Sequence, residues 1–204
     1  QNELKTYMLN KFLSELFTGK LPEALSILEG RVPELPIPSE VLTMLRLAIF
    51  KPEQNFLSHQ RIFNIWSKWG QPALKPNPTK KKILFLSDLT ADNFYPMVRL
   101  YCAAQGVEAD VISPGFDSIE QTVLDSSSLM YKSSPDIVIL VFSESWLQRY
   151  MGHSSLIKQC DLDSIQNTIS NLISIIKSNS SADILIGNMP ARAFALPAGT
   201  VSLE

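Results

Sequence analysis

From Leu4 to Phe17 the apolar residues Leu4, Met8, Leu9, Phe12, Leu13, Leu16 and Phe17 return every three or four positions, the stripe of an amphipathic helix. Gly19 can end that helix, and Pro22 suits the first turn of a second one running to about Gly30. Pro33, Pro36 and Pro38 make Arg31–Pro38 an extended connector, since each removes a donor and restricts the residue before it. Ser39 then reads as the N-cap of a helix over Glu40–Phe50. A fourth helix covers about Glu53–Trp69, with Phe56, Ile62, Phe63, Ile65 and Trp66 as its apolar positions. Paired helices with short connections predict a small all-α subdomain over residues 1–69. Phe56, Ile62 and Trp66 could also face a partner, but an apolar stripe at helical spacing more often serves the core.

Gly70–Pro78, with three prolines and no periodicity, marks a linker over residues 70–80. Beyond it the pattern changes. Short apolar runs at Ile83–Ser87, Ala109–Ser113, Asp136–Ser143 and Ala182–Gly187 read as strands, the first entered through Lys80–Lys82. Phe94–Gln105, closed by Gly106, and Asp161–Lys177 read as helices, the second with Leu162, Ile165, Ile169, Leu172, Ile173 and Ile176 on one face. Phe116–Ser134 is long for a bare connector, and Leu124, Leu129, Met130 and Tyr131 predict at least one turn of helix there. Ser126–Ser128 reads as a capping turn. Strands alternating with helices imply parallel pairing and right-handed crossovers. The expected fold class is therefore α/β, a flavodoxin-like or SGNH-type three-layer sandwich over residues 81–204, preceded by the all-α subdomain.

Composition narrows the function classes. The net charge of −2 offers no case for nucleic acid, and Lys80–Lys82, the one basic cluster, reads as a solvated linker end. Two distant cysteines, Cys102 and Cys160, form neither a disulfide framework nor a metal spacing, so a cytoplasmic location is expected. No apolar run is long enough to cross a bilayer as a helix. The chain opens on Gln1 and closes Ser202-Leu203-Glu204, which suggests a piece of a longer polypeptide.

In open α/β sheets, ligands bind beyond the carboxyl ends of the strands. The first wall of any site is then the turn Ser87–Asn93. Ser87, Asp88 and Thr90 are its catalytic candidates, with Asp92, Asn93, Ser143, Glu144 and Asn188 lining the rim. The rest of a catalytic set is hard to find. A haloacid-dehalogenase phosphatase needs a second carboxylate two residues after Asp88, where Thr90 stands. An SGNH hydrolase needs Gly-Asp-Ser at this turn, and Leu89 holds the nucleophile position. Its third block would fall at Phe142–Ser145, without Gly or Asn, and its late general base would be a histidine. Of the two histidines, His59 lies in the helical part and His153 precedes the fourth strand; both read as surface or capping residues. The glycine-free turn also excludes a dinucleotide fingerprint. No metal site is expected.

The stretches ILFLSDLTADNFYPMVRLYCAAQGVEADVISPGFD and QTVLDSSSLMYKSSPDIVILVFS resemble the N-terminal region of FkbH-like proteins. That family couples an SGNH-like domain to a haloacid-dehalogenase-like domain of subfamily IIIC. The features that carry the resemblance are the first turn with Thr90, Gly115-Phe116-Asp117, and Leu124-Asp125-Ser126 leading into Leu129-Met130-Tyr131. The approach from Lys132 through Pro135-Asp136 to the third strand belongs to it too. It covers about Lys81–Arg192, and the helical leader would suit the longer members. It implies a role in loading a glyceryl unit from 1,3-bisphosphoglycerate onto an acyl carrier protein for polyketide-type biosynthesis. The phosphatase-like motif, and the Mg it needs, would belong to a domain beyond residue 204, so no cofactor is expected here. The implied partners are that C-terminal domain and an acyl carrier protein, with neither nucleic acid nor membrane. These 204 residues would then be a non-catalytic module. The alternative is an esterase or thioesterase whose displaced nucleophile is Thr90 or Ser87.

Overall fold

The computed structural model describes residues 2–31, 37–51, 55–149 and 159–187. The chain folds as two compact units, Gln1–Lys80 with Asn93–Ala109, and Lys81–Asp92 with Asp110–Glu204.

The first unit holds five helices: α1 Asn2–Phe17, α2 Leu21–Glu29, α3 Ser39–Ile49, α4 Phe56–Lys68 and α5 Tyr95–Gln105. One apolar cluster joins them, with Phe12, Leu25, Leu28, Met44, Leu45, Ile62 and Trp66 beside Leu100 and Ala104 of α5. Ile62 and Trp66 are thus core residues, and Phe56, at 46% exposure, is the one of the three that faces solvent. Arg61 braces α4 on α2: its Nε and Nη2 donate to Glu29 at 2.8 Å each, and Nη2 also reaches the Pro22 carbonyl at 3.1 Å.

Two helix starts differ from expectation. Ser39 is the first residue of α3 rather than its cap, because extended Pro38 already fills that position and its carbonyl accepts from Val41 and Leu42. Helix α4 starts at Phe56, since Asn55 is extended and its side chain accepts from the Ser58 N–H at 2.9 Å.

The strands β1 Thr79–Ser87, β2 Val107–Ile112, β3 Ile137–Val141 and β4 Asp183–Ile186 form one sheet of order β2-β1-β3-β4. The sheet is parallel, with Ile83 opposite Ile137, Ser87 opposite Val141, and Leu140 opposite Ile186. The architecture is α/β, a parallel sheet layered with helices, and its order is that of the flavodoxin-like arrangement over four strands. The second unit adds α6 Ile119–Leu124, α7 Leu129–Ser133, α8 Glu144–Gln148 and α9 Gln159–Asn179. Leu84, Leu86, Val138 and Leu140 from the sheet pack with Val123, Met130, Trp146, Ile165, Leu172 and Ile176 from these helices.

Several details depart from the sequence reading. Strand β1 begins at Thr79, so Lys80–Lys82 are strand residues rather than a linker end, although the Lys80 side chain is 82% exposed. The Lys82 N–H donates to Asp136 Oδ2 at 2.7 Å, and Lys82 Nζ donates to the Ser133 carbonyl at 2.7 Å. Strand β3 stops at Val141, and the last residues of the expected strand, Phe142 and Ser143, turn into α8 instead. The expected turn of helix before β3 is two short helices. Met130 is buried and the Tyr131 hydroxyl donates to the Val123 carbonyl at 2.6 Å, while Leu124 is exposed. Leu162, placed on the apolar face of α9 by its spacing, is 37% exposed at that helix's first turns.

Candidate functional site

The sheet order reverses direction between β1 and β3, and a crevice opens at such a switch point beyond the strand ends. Asp88 follows β1 there, and Ser143 follows β3 as the N-cap of α8. Both are buried, at 3% and 7% exposure. The Ser143 N–H donates to Asp88 Oδ1 at 2.7 Å, and the Ser143 hydroxyl donates to Asp88 Oδ2 in a short contact. Ser143 Oγ in turn accepts from the Trp146 N–H at 3.3 Å, which fixes the first turn of α8. A buried carboxylate is tolerated only when its oxygens are hydrogen-bonded. Here one serine serves both oxygens, so Asp88 latches the two strand ends together across the crevice.

The neighbouring groups are engaged locally. Ser87 Oγ accepts from the Leu89 N–H at 3.0 Å, a side-chain turn that swings Leu89 outward to 44% exposure. Trp146 Nε1 donates to Glu120 at 2.7 Å, and Arg149 donates to Asp117 at 2.7 Å. The Asp117 hydrogen bond raises the Arg149 guanidinium above its ordinary value; burial opposes this, and the charges of Asp117, Glu120 and Asp88 add to it. Asp117 sits at φ 51°, a left-handed conformation that suits Asp better than most residues. Sequence reasoning missed Arg149 and Glu120. The one visible signal was Asp117 in the Gly-Phe-Asp element, whose cation lies 32 residues further on.

Of the candidate residues, the structure brings Asp88 and Ser143 into contact, with Ser87 beside them in the chain. Thr90, Asp92 and Asn93 lie on the exposed part of the turn, and among the described residues they have no side-chain hydrogen bond. Glu144 is exposed and accepts from Gln148 at 3.3 Å along α8. Asn188 and His153 lie outside the described residues. His59 belongs to the other unit, where its Nδ1 bonds the Asn55 carbonyl at 3.0 Å and its Nε2 makes a short contact with the Tyr101 hydroxyl. Among the described residues, no three His, Cys, Asp or Glu side chains cluster to hold a metal ion, and no helix is long and apolar enough to cross a membrane.

No family model and no curated protein matches the chain. Among solved structures it is similar to the N-terminal part of the protein BF1531 from Bacteroides fragilis, described as containing a phosphatase domain and complexed with Mg. The two are 14% identical with a TM-score of 0.48 over 73% of this chain, and the chain spans about a third (33%) of that structure's length.

Proposed function

We propose that this chain is a non-catalytic, positioning module, the SGNH-like N-terminal part of an FkbH-like glyceryl transferase and phosphatase. In this reading the parent enzyme takes a three-carbon unit from 1,3-bisphosphoglycerate and loads it onto an acyl carrier protein. A C-terminal phosphatase-like domain of the same polypeptide would hold Mg and do the chemistry. The support in sequence is the order and spacing of the segments around Thr90, Gly115-Phe116-Asp117 and Leu129-Met130-Tyr131.

The observation that carries the non-catalytic part is the latch. Acyl transfer needs a hydroxyl whose proton passes to a base that can later return it to the leaving group. The Ser143 proton is held by Asp88, which is occupied by the same serine's N–H, and no imidazole faces them among the described residues. Thr90 stands exposed and unpartnered there, without the base that would activate it.

The test is hydrolysis of a p-nitrophenyl ester and of a carrier-bound acyl thioester by the wild-type chain, Thr90→Ala and Ser87→Ala. No turnover above buffer is expected from any of them. Wild-type turnover that disappears in one variant would establish the displaced-nucleophile esterase instead. Calorimetric titration with an acyl carrier protein tests the partner, and absence of heat at high concentration counts against it. The residues that follow Glu204 in the native polypeptide are expected to include Asp-x-Asp-x-Thr/Val.

A further inference from the structure

The helical unit has a cleft of about 370 Å³ that the reading above does not use, lined by Leu16 and Phe17 of α1, Thr43, Arg46, Leu47 and Phe50 of α3 and its C-cap, and Lys51. Its volume falls in the range of small-molecule sites, roughly 300–1,000 Å³. Its walls are apolar, yet Phe17, Leu47 and Phe50 are 74%, 39% and 47% exposed, so solvent touches hydrocarbon that a ligand could cover. Phe50 is steadied edge-on against Tyr101 with ring centres 6.4 Å apart, which makes it a rigid wall.

The charged side chains of the cleft, Arg46 and Lys51, are both cationic, beside the neutral hydroxyl of Thr43. The side chains of Arg46 and Lys51 make no ion pair or hydrogen bond among the described residues, and Arg46 Nε is shut off from water with no acceptor. A guanidinium N–H left so is an unmet demand, because buried donors are nearly always paired. Elsewhere in the unit Arg61 meets the same demand with the bidentate carboxylate of Glu29. Thr43 does not supply the missing acceptor: its hydroxyl donates to the Ser39 carbonyl at 3.0 Å, and Arg46 Nε makes no bond to it.

We propose that this cleft is a binding site for a small amphiphilic anion, an aliphatic carboxylate of medium length. With Nε closed to solvent, the carboxylate would meet the two Nη groups of Arg46 in the two-bond geometry that guanidinium favours, with Lys51 adding a point charge. The alkyl chain would lie between Phe17, Leu47 and Phe50. Charge complementarity selects the anion and the exposed hydrocarbon selects its tail; neither alone explains why both kinds of unmet surface share one cleft.

Octanoate is the probe, titrated into the 204-residue chain by calorimetry, with octanol and octylammonium as isosteric controls and amide chemical shifts to locate the site. One octanoate per chain is expected with a dissociation constant on the order of 0.1–1 mM, with octanol and octylammonium at least tenfold weaker. Arg46→Gln should weaken octanoate about tenfold and leave octanol unchanged, since a charge-assisted pair is lost while the tail contacts stay. Lys51→Gln, at a residue outside the α3 core, gives the same test by a smaller factor should Arg46→Gln unfold. Equal affinity for octanoate and octanol, shifts that map away from Phe17 and Phe50, or no saturable binding at several millimolar would each overturn the proposal. Binding of an acidic peptide with no binding of octanoate would overturn it too and point to a protein partner.

Discussion

Truncating Asp88 to alanine strips two acceptors from one serine and leaves the Ser143 N–H and hydroxyl proton buried without an acceptor. Orphaning buried donors typically costs about 1–3 kcal/mol, and Asp88→Ala should lower the denaturant midpoint accordingly. Ser143→Ala leaves buried Asp88 Oδ2 without its donor and removes the cap of α8, and the double variant should be less destabilised than the sum, because removing both ends leaves fewer orphans. A strictly additive cycle would mean that the latch does not exist. At Glu29 the prediction concerns pH. The Arg61 hydrogen bond holds its carboxyl below the ordinary value of 4.5; burial opposes this, and the charges of Arg61 and Lys68 reinforce it. A depressed carboxyl stabilises the fold above that ordinary value and loses the contribution as pH falls through the lowered folded value. Arg61→Gln should therefore be destabilised at neutral pH and converge on wild type in acid. Because the Glu29 side chain is 40% exposed, solvent screening keeps the ion-pair part under about 1 kcal/mol. The residue scale is also where sequence reading was weakest. Asp88 and Ser143 were both visible as strand-end polar groups, but 55 positions separate them, and nothing local says that they bond each other.

Elements were far more legible, because periodicity and breakers are local. The heptad-like stripe of α1, the glycine stop of α5 and the apolar runs of β1 and β3 are each written within a dozen residues. Helix α8 was hidden since DIVILVFS reads as one apolar run, and the break after Val141 is set by Asp88 capturing Ser143 from another strand. The start of β1 was hidden for a similar reason: three lysines read as a linker end until Asp136 accepts the Lys82 N–H. Gly106 offers an element-scale test. It closes α5 at φ 87°, and a Cβ there would meet Lys75 Cδ at 3.2 Å. Gly106→Ala should cost roughly 1–2 kcal/mol from the left-handed backbone, with the flexible lysine yielding easily. In α4, Ile62→Ala removes a fully buried side chain and should cost about 2–5 kcal/mol, read from thermal or urea unfolding.

At the scale of the whole molecule, the fold class follows from the alternation of strands and helices, whereas the partition of the chain does not. A reader of the sequence divides it at the prolines of Gly70–Pro78. The compact units divide differently: the polypeptide leaves the helical unit at Lys80, returns to it from Asn93 to Ala109, and leaves again. Leu100, Ala103 and Ala104 of α5 are buried in the same apolar cluster as Phe12, Met44 and Trp66. A gene opened at codon 81 should therefore yield a polypeptide whose α5 shows bare hydrocarbon, and aggregation on size-exclusion chromatography is the expected result. A helical piece ended at codon 80 should melt below the intact chain for the complementary reason. Recombination between relatives faces the same obstacle, because no single crossover point can exchange either half intact. A graft would have to carry the α5 loop along with the leader, so the two halves are bound to be inherited together.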